Sequence, residues 1–321
     1  MANATTSIPA GLARVLQRRL RVLSKELPRA HRGEAKAVHR ARVASRRLRE
    51  AVAAIEGGSR AHIRTARRDL RRVTTALGGV REMDVALKLL TENAGGESWP
   101  GPAVATVLRQ CEATRERRRR QLTDALDRVH FSKLEEAVDE LRESLDSRVR
   151  LSRPAGHLAS RIRKRSREFQ KALSAAGTLY APLPLHATRL AAKKFRYALE
   201  LAQDAARLPL GADLRQLEAL QALLGRLHDF QIIQEQTQVA IADESLDRTA
   251  VRSLEAFDSA IERTCRELHA KFLAVVPRLS RLSDRISRDV TLKLVDRTRQ
   301  PMARMTGPRE SRDRAATAET R

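Results

Sequence analysis

The chain has 321 residues, and its 63 Lys and Arg against 39 Asp and Glu give a formal net charge of +24 at pH 7. Hydrophobic residues make up 42% of the chain, enough for a buried core, whereas only 3% of residues are aromatic, which disfavours a β-sandwich or barrel. No stretch approaches the roughly 18 apolar residues of a membrane span, and the N-terminus lacks a basic-then-apolar leader pattern, so we expect a soluble protein of the cytoplasm.

Amphipathic segments separated by Pro and Gly predict a series of helices along the first half of the chain. The predicted helices span 12–27, 35–55, 60–77, 81–92, 103–129 and 133–146. Pro28 and Gly57-Gly58 are expected to end the first two helices, and Gly78-Gly79 is expected to separate the third helix from the fourth. Ser59 and Ser132 stand where helix N-caps are expected. Because no window alternates with the period of two of a strand, we predict an all-α protein.

The second half of the chain repeats the first at a gapless offset of 147 residues. This shift lays His39, Arg42, Arg46, Arg47 and Arg49 on His186, Arg189, Lys193, Lys194 and Arg196, and Leu77-Gly78 on Leu224-Gly225. A histidine, four cations and a later Leu-Gly pair at one offset indicate an internal repeat. We predict two similar halves, 9–150 and 156–295, each a bundle of about four helices. Residues 297–321 have no apolar period and are predicted to form a disordered, Arg-rich tail.

One helix of each half carries a cationic stripe opposite an apolar seam. We call the following the stripe residues: His39, Arg42, Arg46 and Arg49 with Arg47 beside them, and His186, Arg189, Lys193 and Arg196 with Lys194 beside them. The first four fall within an arc of about 80° on a helical wheel, and Lys36 to Arg49 contains no acid. Solvated helix faces usually mix both signs, because an i,i+4 pair of opposite charge stabilises a helix by about 0.2–0.5 kcal/mol and a like pair costs a similar amount. The stripes therefore favour a bound polyanion.

Phosphate is the polyanionic group that these stripes are predicted to bind. Each charge-assisted hydrogen bond to phosphate contributes about 1.5–3 kcal/mol when partly desolvated. Ten helical residues rise about 15 Å, so one stripe can follow several consecutive phosphates, and two facing stripes would form a channel. Outer contacts are expected from further side chains along that channel: Arg14, Arg18, Lys25, Arg64, Arg68, Arg71, Arg81, Arg115, Arg118, Arg119, Arg161, Lys164, Arg165 and Tyr197.

Other chemistry has little support in the sequence. Cys111 and Cys265 lie far apart and predict buried thiols, neither a disulfide nor a CxxC site. No further metal-ligating side chain stands at ligand spacing from His39 or His186, so no metal is expected. Two roles stay equally open for these histidines: a hydrogen bond to phosphate, or a structural hydrogen bond that fixes the start of the helix. There is no P-loop, no HExxH motif and no nucleophile–base pair, so we expect no cofactor and no catalysis.

Four motifs resemble those of the CHAD domain, the conserved histidine α-helical domain. Residues 38–49 and 185–197 are similar to its paired histidine signatures, and residues 77–85 and 224–229 to its two Leu-Gly motifs. The resemblance covers roughly residues 9–290. It implies two pseudo-symmetric bundles around a cationic central cavity that binds inorganic polyphosphate, and association with polyphosphate granules.

Some positions depart from the family pattern. Glu82 stands where the first Leu-Gly motif often has Asp, and His228 and Gln231 replace the more usual Asn and Asp in the second. Because Glu82, Asp84 and Asp229 follow the expected helix breaks, they are interpreted as caps or as partners of Arg81 and nearby cations.

Two rival functions stay open at this point. Nonspecific nucleic-acid binding at low salt fits the charge, although only Tyr197 could stack on a base and no helix-turn-helix or zinc pattern is present. An enzyme acting on polyphosphate or a nucleoside triphosphate would need metal ligands as well as cations, and the ExExK motif of the triphosphate tunnel domain that accompanies some CHAD domains is absent. The sequence leaves the oligomeric state open and favours a stand-alone polyphosphate-binding domain.

Overall fold

A computed structural model describes residues 7–55, 60–94, 99, 101–147 and 154–299 of the chain. This part consists of helices and the turns between them, without a strand, which confirms the all-α prediction. The helices are α1 (Ile8–His31), α2 (Ala35–Ala54), α3 (Arg60–Asn93), α4 (Gly101–Asp127), α5 (Phe131–Ser147), α6 (Pro154–Ala175), α7 (Pro182–Ala206), α8 (Gly211–Ile241) and α9 (Arg248–Arg299). None of these helices is both long and apolar enough to cross a membrane.

The predicted breaks at the two Leu-Gly pairs are wrong, because α3 continues through Gly78-Gly79 and α8 through Gly225. Glycine inside a helix costs about 1 kcal/mol relative to alanine, whereas each fully buried Leu or Val contributes about 1.5–3 kcal/mol. Leu77 and Val80 flank the first pair and are fully buried. Packing against the core therefore outweighs the local cost, and the third and fourth predicted helices are one.

Other predicted boundaries shift by a few residues. Pro28 lies in the last turn of α1 and does not end it, since the helix continues to His31. Ser132 lies inside the first turn of α5 and is not its cap. The predicted stop at Gly57-Gly58 and the cap at Ser59 lie outside the described residues.

The order of the helices follows the repeat. Moved by 147 residues, the first residues of α1 to α4 fall within four positions of the first residues of α6 to α9. The first half contains five described helices, where a bundle of about four was predicted, and the second half contains four. The halves differ because α9 alone covers the stretch that corresponds to α4 and α5. Helix α9 also extends to Arg299, into the segment 297–321 that was predicted to be a tail, and residues 300–321 lie outside the described part. The spatial symmetry of the halves stays a prediction.

The two halves share one hydrophobic core. Helices α1 and α2 pack against α7, and α3 and α4 pack against α8. Leu48 and Val52 of α2, and Phe195 and Leu199 of α7, are fully buried members of a single cluster of apolar side chains. Both cysteines are free and buried in the same core, as the sequence predicts. This arrangement places the two stripe-bearing helices, α2 and α7, side by side.

Close contact between the halves makes Gly11 of α1 sensitive to substitution. A Cβ at Gly11 would overlap the backbone carbonyl of Ala205 on α7, whereas a Cβ at Gly225 of α8 would meet no atom within 4 Å. We predict that Gly11→Ala lowers the free energy of unfolding by about 1–3 kcal/mol, because the helices must separate. The control, Gly225→Ala, should raise it by about 0.5–1 kcal/mol through helix propensity. Urea denaturation followed by circular dichroism measures both, and effects of the same sign and size would contradict the packing described here.

Candidate functional site

The two cationic stripes converge on one cavity of about 520 Å³. Arg46 and Arg49 reach it from α2, and Lys193 and Lys194 reach it from α7. The rest of its lining comes from α2, α3, α6 and α7: Glu50, Ala53, Arg67, Arg68, Arg71, Arg72, Arg161, Arg165, Leu190 and Tyr197. Ten of these fourteen residues are Lys or Arg and only one is acidic, so the cavity concentrates positive charge between low-dielectric walls.

Arg42 and Arg189 lie beside the cavity, and each has a buried N–H group without a hydrogen-bond acceptor. The side chain of Arg42 is 16% exposed, and Arg189 as a whole residue is 8% exposed. The Nε atoms of both are buried without a hydrogen-bond partner. Burial, and then the charge of Arg46, lower the pKa of Arg42 to about 10, although Glu82 lies 3.8 Å away. Desolvated N–H groups without acceptors cost free energy that a bound anion would recover.

Lys193 has the most strongly perturbed environment of the cationic side chains in the cavity. It makes no ion pair or hydrogen bond with any described residue. Burial, followed by the charges of Arg189, Arg46 and Arg42, lowers the pKa of Lys193 to about 6, against the opposing charge of Asp229. The amine of Lys193 is therefore largely neutral at pH 7.

The histidines of the two stripes occupy different surroundings. His186 lies against His228 of α8, with ring centroids 4.8 Å apart and 3.4 Å between the two Nδ1 atoms. Burial, and then the charge of Arg189, lower the pKa of His228 to about 3, so this ring is neutral. His39 lies at the surface near the start of α2, where partial desolvation of its ring and then the charge of Arg81 lower its pKa. Neither stripe histidine lines the cavity.

Two glutamates hold the helices around the cavity. Glu50 is 5% exposed and accepts hydrogen bonds from Arg161 at 2.6 Å and Arg165 at 3.0 Å, which join α2 to α6. Burial alone would raise the pKa of Glu50, but the two guanidinium groups bring it below its ordinary value. Glu200 of α7 accepts from Arg47 of α2 at 3.0 Å and lies 3.4 Å from Arg196.

The structure sorts the predicted stripe residues into three groups. Arg46, Arg49, Lys193 and Lys194 line the cavity, and Arg42, His186 and Arg189 adjoin it through the charges described above. Arg47 and Arg196 form ion pairs with glutamates away from the cavity, and His39 lies at the surface. Whether each contacts a ligand stays a prediction.

The predicted outer contacts divide in the same way. Those that line the cavity are Arg68, Arg71, Arg161, Arg165 and Tyr197. Those that do not are Arg14, Arg18, Lys25, Arg64, Arg81, Arg115, Arg118, Arg119 and Lys164. Several of the latter have acidic partners: Arg18 pairs with Asp204, and Arg115 with Asp84 at 2.7 Å.

Sequence reasoning missed three charged residues of the cavity lining, Glu50, Arg67 and Arg72. A signal for the two arginines was present, because Arg67 lies four residues before Arg71 and Arg72 four residues after Arg68, so each missed arginine shares a helix face with a predicted one. No local pattern marks Glu50, whose partners are more than 100 residues away.

The interpretation of Glu82, Asp84 and Asp229 as helix caps is wrong, because all three lie inside continuous helices. As partners of cations they behave as expected. Asp84 accepts from Arg115, Glu82 faces Arg42, and Asp229 acts on Arg189. No group of three or more His, Cys, Asp or Glu side chains in the described part could hold a metal ion.

Comparison with known proteins places this arrangement in a family. The CHAD domain model matches residues 14–238. The fold is similar to the crystal structure of the CHAD domain from the plant Ricinus communis, with a TM-score of 0.64 and 18% identity over 86% of this chain and 93% of that chain. It is also similar to PptA from Streptomyces chartreusis, with a TM-score of 0.59 and 17% identity over 83% of this chain and 98% of that chain. No curated protein matches the chain.

The surroundings of Lys193 predict a measurable effect on stability. At pH 7 the unfolded chain binds a proton on Lys193 that the folded protein does not bind, so Lys193 lowers the free energy of unfolding. This destabilisation decreases as the pH rises from about 6 toward 10.5, because the unfolded chain then loses the same proton. We predict that Lys193→Met raises the free energy of unfolding at pH 7 by about 1–3 kcal/mol.

The neighbouring lysine is the control for this experiment. Lys194 lines the same cavity but is exposed, so Lys194→Met should change stability by less than about 0.5 kcal/mol. Urea denaturation at pH 6, 7 and 9 should show the difference between Lys193→Met and the parent chain narrowing as pH rises. A difference independent of pH would contradict the assignment of a neutral amine.

Proposed function

Because this chain belongs to the CHAD domain family, we propose that it binds inorganic polyphosphate, without catalysis, in the cavity between α2 and α7. The observation that carries this proposal is the cavity lining itself, with ten Lys and Arg around about 520 Å³ and a single acid. That acid, Glu50, is already paired with Arg161 and Arg165. Arg68 pairs with Asp69 at 2.9 Å, and the other seven cations of the lining make no ion pair with a described residue, which leaves them to an anion from outside the chain.

An extended chain of phosphates fits the arrangement of these cations. Arg42, Arg46 and Arg49 follow one face of α2, and the rise of about 10 Å from the first to the third exceeds the reach of a single phosphate. Lys193 and Lys194 face the same space from α7. Each phosphate that replaces water at a desolvated guanidinium also removes part of the repulsion between neighbouring cations.

Nucleic acid is less well suited to this site. A DNA duplex is wider than its own major groove of about 12 Å, whereas the cavity encloses only about 520 Å³, so we expect a duplex to contact only the rim of the cavity. Single-strand binders stack bases on exposed aromatic rings. Tyr197, the aromatic side chain in the lining, is only 9% exposed and has the guanidinium of Arg196 over its ring at 5.4 Å.

We propose association with polyphosphate granules in the cytoplasm as the cellular counterpart of this binding. A cavity lined by cations would retain the protein wherever long phosphate chains accumulate. The same charge-reversal variants that test binding in vitro, described below, test this location when they are fused to a fluorescent protein.

Catalysis would require groups that the cavity does not offer. Phosphoryl transfer generally uses a metal ion held by oxygen ligands in addition to cations, and the single carboxylate of the lining is held by two arginines. We predict that the chain releases no orthophosphate from long-chain polyphosphate in the presence of Mg²⁺ or Mn²⁺. Release that disappears in an Arg46→Glu variant would overturn the non-catalytic proposal.

Reversing two charges in the cavity tests the binding proposal. Arg46→Glu combined with Lys193→Glu should weaken retention of long-chain polyphosphate by at least about 100-fold, because two attractive contacts become repulsive. The helical circular dichroism should stay unchanged. The logarithm of the binding constant of the parent chain should fall linearly with the logarithm of the salt concentration, and the slope of this line should be shallower for the variant.

A matched control changes the same net charge elsewhere. Arg64 and Lys164 are exposed, lie outside the cavity lining and make no ion pair with a described residue. Arg64→Glu with Lys164→Glu should therefore reduce affinity by less than about tenfold, through long-range charge alone. Equal losses in both double variants would reject the cavity as the binding site. Displacement of polyphosphate by duplex DNA at equal phosphate concentration and physiological salt would favour the nucleic-acid alternative.

A further inference from the structure

Two adjacent lysines of α7 differ sharply in their surroundings. Lys194 is exposed at the edge of the cavity, whereas Lys193 is partly buried, lines the same cavity and has no carboxylate partner among the described residues. Six charged or titratable groups face Lys193 from three helices: Arg42 and Arg46 of α2, His186 and Arg189 of α7, and His228 and Asp229 of α8. The arginines of α3 and α6 lie across the cavity.

This geometry combines a nucleophile with an anion-binding site. A lysine that is partly removed from water beside three arginines loses its proton more readily than an exposed lysine, and an unprotonated amine is the form that attacks carbonyl carbon. The same arginines would hold a phosphate group next to the amine. A ligand that carries both a phosphate and an activated carbonyl would therefore be positioned to react.

We propose that Lys193 is a site of acylation by small acyl phosphates. The neutral amine attacks the carbonyl carbon, a C–N bond forms, and the bond from that carbon to the phosphate oxygen breaks. Orthophosphate leaves with the electron pair of the broken bond, and the surplus proton on nitrogen passes to solvent. No oxidant, metal or further co-reactant is needed.

The modification would act on the proposed function, on which this inference rests. An amide at Lys193 cannot take up a proton when a polyanion enters, so acylation would remove one cation from the bound state and add bulk to the cavity. Polyphosphate in turn would protect Lys193, because it occupies the phosphate-binding arginines and favours the charged amine. Acyl phosphates and polyphosphate would thus compete for one cavity.

Peptide mapping of the intact chain after brief exposure to acetyl phosphate tests the proposal. At pH 7.5 the initial rate of acetylation at Lys193 should exceed that at Lys194 by about tenfold or more, since the larger neutral fraction outweighs the lower intrinsic nucleophilicity of a weaker base. The rate at Lys193 should level off above about pH 7, whereas that at Lys194 should rise about tenfold per pH unit. A rate at Lys193 equal to or below that at Lys194, or equal slopes with pH, would overturn the proposal.

Two further measurements separate the parts of this argument. A neutral acetylating reagent, such as the N-hydroxysuccinimide ester of acetate, should give a smaller ratio of Lys193 to Lys194, and an equally large ratio would refute the role of the arginines in holding phosphate. Direct polyphosphate binding by the same preparation is measured in parallel. If the chain binds polyphosphate but Lys193 is not acetylated preferentially, only the acylation proposal is rejected. If Lys193 is acetylated preferentially, but the chain does not bind polyphosphate and polyphosphate does not slow the acetylation, only the proposed function is rejected.

Discussion

The structure depends on like charges that are held together, partly out of water, between two helices. Arg42 and Arg189 keep buried Nε atoms without hydrogen-bond partners, and Lys193 has no carboxylate to pair with among the described residues. Each of these is unfavourable by itself. The apolar faces of α2 and α7 offset that cost, because they belong to one core that both halves of the chain build. The cavity therefore combines electrostatic repulsion between its cations with a buried apolar core that holds the two helices together.

Acidic residues decide which cations stay available. Arg46 and Arg47 are neighbours in sequence, yet Arg46 lines the cavity and Arg47 donates to Glu200 on α7. On the other wall, Glu50 is bound by Arg161 and Arg165 and thereby fixes α6 against α2. The glutamates thus act as cross-links between helices, and apart from Arg68, which pairs with Asp69, the remaining cavity cations have no ion-pair partner among the described residues. Counting basic residues in a sequence cannot separate these two roles, because the separation depends on which helix lies opposite each side chain.

Local periodicity explains what the sequence could predict and what it could not. The stripes were predictable because residues at i, i+3 and i+4 share a helix face whatever surrounds the helix. The continuity of α3 through Gly78-Gly79 was not, since it depends on burial of Leu77 and Val80 in a core that distant helices complete. The pairing of His186 with His228 and of Arg47 with Glu200 likewise joins helices that no local pattern relates. The repeat predicted the order of the helices but not that α9 would take the place of two.

The formal charge of the chain overstates the positive charge around the cavity. Lys193 counts toward the +24 of the sequence, yet burial and three neighbouring arginines bring its pKa to about 6, so at neutral pH it contributes little charge. Under the proposed function, a polyanion that bound there would bring about the uptake of a proton as well as the release of its own counterions. A neutral Lys193 is repelled less by the neighbouring arginines than a charged one would be, and a bound anion would restore the missing charge. A site made of mutually repelling groups would in this way be less unfavourable without its ligand and would still present a full set of cations to it.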